Sequence, residues 1–276
     1  DALAAQNFTT STDSYNIAIG FQAGASVTTG FYNTLTGGLA GDALTTGRYN
    51  TAVGFQSLSN DTTGQMNTAV GYNALATQNR TDGTQQFNVG VGAQAGEDIT
   101  SGLYNTLVGG LSGQQLTSGG RNVAVGLQSL NLNTVGDASV AVGVNALRKQ
   151  NPATNTDMYN TAVGDEAGAE TTTGTDNTFI GGKAGQANTT GQFNVYVGTD
   201  AGEALTVGSS NVAIGRGALE QDTKGSKTVA IGQGTLNAQN FTTATDSFNT
   251  AVGHNAAVAV TTGVQNTIVG ASAGDA

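Results

Sequence analysis

The segment Asn50-Thr51-Ala52-Val53-Gly54 is one copy of a five-residue pattern, N-[TV]-x-[VI]-G, that recurs fifteen times in the 276-residue chain. Successive copies begin 17 or 21 residues apart, and no other spacing occurs. If the first residue of a copy is position 0, position +4 is Gly in every copy, and position +3 is Val or Ile in all but one. A short, fixed period of this kind predicts a solenoid of about fifteen coils.

A slower rhythm is superimposed on this repeat. Position +8 reads Gly, Gly, Leu, Leu and then repeats that order, beginning with Gly24, Gly41, Leu58 and Leu75. The second Leu coil of each group is the 21-residue coil, and its extra residues follow a Gln-Asn pair: Gln78-Asn79, Gln150-Asn151 and Gln239-Asn240. We therefore predict a larger unit of 72 residues, with one additional 17-residue coil in the third unit.

Each copy of the pattern has the properties of a short β-strand that ends in a turn. The side chains at +1 and +3 share one face of the strand, and the side chain at +2 lies on the other. The β-branched residues at +1 and +3 favour strands, and Gly at +4 permits a turn. Frequent Gly argues against helices. We predict an all-β parallel β-solenoid, a flat roll of 17-residue coils with 21-residue coils at intervals, forming one array over residues 1–276.

Both ends of the sequence fall within a coil. Residues 3–10 match residues 236–243, which belong to a 21-residue coil. Solenoids normally close with atypical capping repeats. We therefore expect an array that is open at both ends and forms a segment of a longer fibre, with end-to-end assembly as one way for copies to meet.

The composition excludes several classes of function. The net charge is −10 with only nine Lys and Arg residues, which argues against nucleic acid as a partner. No run of 18 apolar residues predicts a membrane span. The chain contains no Cys, so disulfides and thiol chemistry are excluded. The 42 Gly residues indicate many tight turns.

A coil of this length buries only a thin row of Val, Ile and Ala side chains. A single array would leave much apolar and aromatic surface in water, including the aromatic residues that often occupy position −1. We therefore expect several copies to associate side by side, with a homotrimer as the first expectation. One strand face would form the core of the roll and the other would contact neighbouring copies. The sequence leaves open which face does which.

The pattern resembles the head repeats of YadA-like trimeric autotransporter adhesins and the repeats of phage tail fibres. The resemblance rests on Ser139-Val140-Ala141-Val142-Gly143, Asn211-Val212-Ala213-Ile214-Gly215 and the related copies, and it covers essentially the whole chain. It implies a left-handed parallel β-roll, three chains side by side, an extracellular, cell-surface or virion location, and a role in attachment. The coils here are longer than the usual adhesin-head repeat, and no coiled-coil stalk or membrane anchor is present.

The sequence predicts no catalytic residues, no cofactor and no metal ligands, and therefore not an enzyme. The single His, His254, has no partner in sequence for a catalytic or metal site. Calcium is the one alternative, because Asp13, Asp157 and Asp246 all occupy position −3 after long coils. Asp in place of Gly in a capped turn explains the same pattern.

The polar columns of the repeat are interpreted as structural. Stacked Asn side chains can bond to each other and to the turn backbone at every coil. Columns of Thr before position −3 raise ice binding as a further alternative, although neighbouring positions vary too much for a regular lattice. The predicted ladder consists of Asn16, Asn33, Asn50, Asn67, Asn88, Asn105, Asn122, Asn160, Asn177, Asn194, Asn211, Asn249 and Asn266.

The loops of the 21-residue coils are the candidate recognition sites, because loops on a rigid scaffold commonly bind ligands. The candidate residues are Arg80, Asp82, Arg148, Lys149 and Phe241. A simple spacer loop is the alternative. We expect a fibre or adhesin shaft that attaches to a cell-surface glycan or protein receptor. A filament or spacer without receptor binding is the second hypothesis.

Overall fold

The structure, a computed structural model, describes residues 1–275. The chain is an all-β parallel β-solenoid of about fifteen turns with a repeat of about 17 residues, as the sequence predicts. No helix occurs among the described residues. The strands are β1 Ile17–Ile19, β2 Thr34–Thr36, β3 Thr51–Val53, β4 Thr68–Val70, β5 Val89–Val91, β6 Thr106–Val108, β7 Val123–Val125, β8 Gly136–Asp137, β9 Val140–Val142, β10 Thr156–Asp157, β11 Thr161–Val163, β12 Thr178–Ile180, β13 Val195–Val197, β14 Val212–Ile214, β15 Gly225–Ser226, β16 Val229–Ile231, β17 Thr245–Asp246, β18 Thr250–Val252 and β19 Thr267–Val269.

The chain forms two compact units, Asp1–Asp137 and Ala138–Ala276. In the first unit, β1 to β7 pair in parallel in chain order. In the second, β9, β11, β12, β13, β14, β16, β18 and β19 pair in the same way, and β15 pairs with β17. Equivalent positions of successive coils are always partners, as Ala52 is of Ala69. The solenoid therefore stacks each column of the repeat directly upon itself.

The middle residue of each three-residue strand, position +2, faces the core. In β3, Ala52 is fully buried, whereas Thr51 and Val53 on either side are half-buried. The same alternation occurs in β12, where Phe179 is fully buried and Ile180 is exposed. The structure thereby assigns the face that the sequence left open: +2 lies inside, and +1 and +3 lie outside.

The Gly–Leu rhythm at position +8 matches the size of the side chain at +2. A Cβ atom added to Gly24 would lie 2.7 Å from Leu35 Cδ1, and one on Gly41 would lie 2.8 Å from Leu35 Cδ2. Ala52 instead shares its coil with Leu58, and both side chains are fully buried. A large residue at one position thus requires Gly at the other, which keeps the core filled at a nearly constant volume.

A ladder of Asn side chains ties neighbouring coils together at position 0. Asn33 donates both its backbone N–H and its Nδ2 group to Asn16 Oδ1, at 2.9 and 3.2 Å. Its Nδ2 also donates to the backbone carbonyl of Gly47 in the next coil, at 2.9 Å. Asn50 repeats these bonds one coil further on. These buried side chains therefore bond across coils rather than to solvent.

The Gln of each Gln-Asn pair completes this ladder where a long coil interrupts it. Gln78, Gln150 and Gln239 are fully buried. Gln78 Oε1 accepts a hydrogen bond of 2.8 Å from Asn88 Nδ2, and Gln150 Oε1 accepts one of 2.9 Å from Asn160 Nδ2. The Gln side chain supplies an acceptor at these steps, which accounts for its recurrence in the 21-residue coils.

One buried carboxylate makes the stability of the first unit depend on pH. Asp61 is fully buried and accepts hydrogen bonds from the Gly64 N–H, at 2.8 Å, and from Gln78 Nε2, at 2.9 Å. Burial outweighs these bonds and raises the pKa of Asp61 to about 6. Asn133 occupies the equivalent position of another coil and accepts the same bond from the Gly136 N–H.

We expect Asp61→Asn to stabilise the protein at pH 7. The folded state holds a proton on Asp61 up to a pKa of about 6, whereas the unfolded chain releases it near 3.8, so the free energy of unfolding falls as pH rises between these values. The amide removes this loss, which is at most about 3 kcal/mol. Urea denaturation at pH 4.5 and pH 7 measures it. A variant whose advantage does not grow with pH would contradict the prediction, and Asp176→Asn, at an exposed position, is the charge control.

Candidate functional site: the outward strand face and its aromatic columns

The outward face of the strands carries Thr, Val and Ile at positions +1 and +3 and no charged residue in any coil. Exposed aromatic side chains border it on both sides, at positions −1 and +5. In the first unit, they include Tyr15, Phe21, Tyr32, Tyr49, Phe55, Tyr72, Phe87 and Tyr104, and in the second unit Tyr159, Phe193 and Phe248. Each unit therefore presents a continuous apolar strip to solvent.

The aromatic residues at position −1 form stacks in the first unit. The rings of Tyr15 and Tyr32 are 5.4 Å apart and nearly parallel, and those of Tyr32 and Tyr49 are 5.2 Å apart. Phe87 and Tyr104 stack at 6.0 Å. Stacking covers the faces of the inner rings, so the edges of these rings are what a partner would contact.

The backbone at position −1 has an unusual conformation. The φ angle is +60° at Tyr49, +62° at Tyr104 and +50° at Tyr159. Gly and Asn are the residues that tolerate this left-handed region best, and a bulky side chain there is uncommon. The repeat places aromatic residues at this strained position many times, which indicates that their exposed side chains serve a purpose.

A cavity of about 270 Å³ interrupts the aromatic column of the first unit. It is lined by Leu103, Tyr104, Ser118, Gly120, Arg121 and Asp137. Asp137 Oδ1 accepts a hydrogen bond of 2.6 Å from the Gly120 N–H, and Arg121 Nη2 contacts Asp137 Oδ2 at 3.0 Å. The Asp137 side chain is only 13% exposed, whereas that of Arg121 is 54% exposed. The cavity thus combines apolar, aromatic and charged groups, and sequence reasoning missed it.

A second, more polar cavity of about 180 Å³ lies in the second unit. Arg216, Glu220 and Asn237 line it, together with Gly217 and Gly234 at position +6, where most coils carry a larger side chain. Asn237 Nδ2 donates to Glu220 Oε2 at 2.8 Å. The amide and the carboxylate therefore satisfy each other across the space that the two glycines leave.

The first long-coil loop folds back on itself. Arg80 Nη2 contacts Asp82 Oδ2 at 2.6 Å, and Arg80 Nη1 donates to the carbonyl of Ser101 at 3.0 Å. The hydrogen bond from Arg80 holds the pKa of Asp82 well below its usual range. The pKa of Arg80 is raised mainly by that same bond, with a smaller electrostatic contribution from Tyr104. This loop therefore lies beside the 270 Å³ cavity.

The other candidate recognition residues do not form a common site. Arg148 and Lys149 both pair with Glu170 of the next coil. Phe241 is only 6% exposed, and its backbone N–H donates to the buried Asp222 at 3.1 Å. The prediction of a recognition role for the Phe241 side chain is therefore wrong, because an apolar residue in this loop fills the core.

The three Asp residues considered for calcium lie apart and contact their own neighbours. Tyr15 donates to Asp13 Oδ2 at 3.2 Å, and Lys227 donates to Asp246 Oδ2 at 2.6 Å. Tyr159 likewise donates to Asp157. Among residues 1–275, no group of three or more His, Cys, Asp or Glu side chains could hold a metal ion.

The Thr columns bond within the solenoid. Thr45 Oγ1 donates to the carbonyl of Thr62 in the next coil at 2.9 Å, and Thr189 Oγ1 donates to that of Thr206 at the same distance. Thr62 and Thr223 donate instead to Asn79 and Asn240, the second residues of the Gln-Asn pairs. A hydroxyl that points along the stack towards the next coil is poorly placed for an ice lattice.

No family model, curated protein or solved structure matches the chain. Across the described part of the sequence, no helix has the length and apolar character needed to cross a bilayer.

Proposed function

We propose that the chain is a segment of an extracellular fibre, as in an adhesin shaft or phage tail fibre, that attaches to a cell surface. Copies associate side by side through the outward strand face, with a homotrimer as the expected state. The observation that carries this proposal is the uncharged apolar strip between two columns of exposed aromatic side chains. The sequence resemblance to trimeric adhesin heads and tail-fibre repeats supports the same function.

The distribution of charge supports association through this face. Monomeric proteins rarely expose contiguous apolar patches larger than a few hundred Å². Acidic residues such as Asp42, Glu97, Glu203 and Glu220 occupy positions +9 and +10, after the turn that follows the strand. Charge at these positions keeps the rest of the coil soluble while leaving the strand face free to pack against another copy.

We expect the purified chain to sediment as an oligomer, and Val53→Lys combined with Val70→Lys to dissociate it. Both Val side chains lie at position +3 of the outward face, where a buried ammonium group would lack a partner. Light scattering would show wild type at three times the 27.5 kDa chain mass and the variant at a single chain mass.

The control for this experiment is Thr46→Lys, which adds the same charge at an exposed position outside the strand face. It is expected to leave the oligomer intact. A wild-type chain that scatters as a monomer would refute side-by-side assembly.

Attachment is tested separately, by binding of the fluorescently labelled chain to whole bacterial and animal cells. Saturable binding is expected. A stable oligomer that binds no cell would favour the alternative function, a structural filament or spacer without a receptor.

A further inference from the structure

We propose that the cavity beside Tyr104 binds one neutral hexopyranose residue of a cell-surface glycan. This inference rests on the proposed function and deepens it, because it names the site and the chemistry through which the fibre would attach. Four features of the first unit carry it: an aromatic ring at the cavity wall, a missing side chain, a nearly buried carboxylate and an exposed guanidinium.

The cavity exists because one side chain of a column is missing. Position −2 of the earlier coils carries Phe31, Arg48 and Gln65, which contact one another: Arg48 lies over the Phe31 ring and bonds to Gln65. Leu103 continues this column, but the next residue in it is Gly120. A Cβ atom at Gly120 would lie 2.8 Å from the Leu103 carbonyl oxygen, so the site admits no side chain there.

The aromatic column also changes at this point. Tyr104 stacks on Phe87 of the preceding coil, whereas the next residue at position −1 is Arg121. The Tyr104 ring therefore ends the stack and lines the cavity. An aromatic ring at the end of a stack can pack against a ligand, and the tyrosine hydroxyl remains available for a hydrogen bond.

Polar groups on the other wall suit hydroxyl groups. Each Asp137 oxygen already accepts one hydrogen bond, from the Gly120 N–H or from Arg121, and a carboxylate offers about four acceptor sites in total. Arg121 presents donors in a planar fork, and the Ser118 hydroxyl can donate and accept. The two bonds hold the Asp137 carboxylate in place before a ligand arrives, which lowers the entropy cost of binding.

A pyranose ring fits this combination of groups. One of its faces consists largely of C–H groups and can pack on Tyr104, and its edge carries hydroxyls that both donate and accept. The volume of about 270 Å³ is just below the range of pockets for drug-sized ligands, so it admits one ring rather than an oligosaccharide. The Asp137 carboxylate and the net charge of −10 favour a neutral sugar over an anionic one.

The test uses the full chain and the methyl glycosides of glucose, galactose and mannose, with N-acetylneuraminic acid as the anionic probe. Saturation-transfer NMR is expected to show binding of at least one neutral glycoside. Tyr104→Ala is expected to weaken this binding about ten-fold, since it removes the ring that the sugar packs on. Asp137→Asn keeps an acceptor for the Gly120 N–H and is expected to weaken binding about three-fold.

The matched control is Tyr49→Ala. Tyr49 occupies the same position of the repeat, at φ +60° against +62° for Tyr104, and is similarly exposed, at 44% against 52%. Both variants carry the same backbone strain, which circular dichroism checks, but only Tyr104 lines the cavity. Tyr49→Ala is expected to bind the glycoside as wild type does.

Three outcomes would overturn the proposed site: no binding of any neutral glycoside, equal loss in Tyr49→Ala and Tyr104→Ala, or preference for the anionic sugar. Cell binding separates this failure from that of the proposed function. If wild type and Tyr104→Ala attach to cells equally, the site is wrong and attachment stands. If the glycoside binds at Tyr104 but no cell does, attachment fails and the site stands.

Discussion

Gly181→Ala is expected to unfold the coils on either side of it, with a loss of at least about 3 kcal/mol in stability. Gly181 is the position +4 glycine of its coil and has φ +134°, a conformation that side chains rarely adopt. A Cβ atom there would lie 2.6 Å from the carbonyl carbon and oxygen of Gly198, the equivalent residue of the next coil. Because this obstacle is backbone, no rotamer change can relieve it. Amide hydrogen exchange of β12 and β13 would measure the loss of protection.

The neighbouring residue provides the control for this experiment. A Cβ atom on Gly182 would meet no atom within 4 Å, and its φ is not positive. Gly182→Ala is therefore expected to change stability by less than about 0.5 kcal/mol, within the range typical of surface substitutions. If the two alanine variants were equally stable, close stacking of the glycine column could not be what fixes Gly at position +4.

The fold could be predicted from the sequence because the repeat enforces the same local structure in each coil. The β-branched residues at +1 and +3 and the glycine at +4 mark the strand and its end, and the structure confirms parallel strands at these positions. The two 17- and 21-residue spacings gave the number of turns. What the repeat could not indicate is which strand face is buried, since Ala at +2 is compatible with either side.

The assignment of the faces depends on distances between residues that are far apart in sequence. Leu35 packs against Gly24 and Gly41, and only this contact explains why the size at +2 varies inversely with the size at +8. The same correlation is present in the sequence as Leu35 with Gly41 and Ala52 with Leu58. A comparison of the two columns would therefore have identified +2 as the core position.

The candidate site was harder to predict. Gly120 is one of 42 glycines, and only the stacking of coils shows that its missing side chain opens a cavity beside Tyr104. Phe241 was misjudged for the same reason, because the loop that carries it folds over the core. Arg80 was a useful candidate, since its loop lies next to Tyr104. Columns of the repeat are readable from sequence, whereas exceptions to a column acquire meaning only from their neighbours in space.

Asn177→Ala is expected to reduce the free energy of unfolding by about 3 kcal/mol or more. Asn177 Nδ2 donates to Asn160 Oδ1 at 3.1 Å and to the Gly191 carbonyl at 2.9 Å, and Asn177 Oδ1 accepts from the Asn194 N–H at 3.0 Å. Alanine leaves the donor and the carbonyl without these partners inside the protein, where each lost bond costs about 1–3 kcal/mol. Chemical denaturation and exchange of the Asn194 amide would measure the effect.

Thr190→Ala tests whether the loss belongs to the ladder, because Thr190 lies in the same coil but is exposed. It is expected to unfold within about 0.5 kcal/mol of wild type. The ladder is broken without Asn only ahead of long coils, at Ser139 and Thr228, and there the buried Gln150 and Gln239 bond to the hydroxyls that replace it. An Asn177→Ala variant as stable as Thr190→Ala would mean that stacking of the backbone alone holds the coils, and that the Asn column has another purpose.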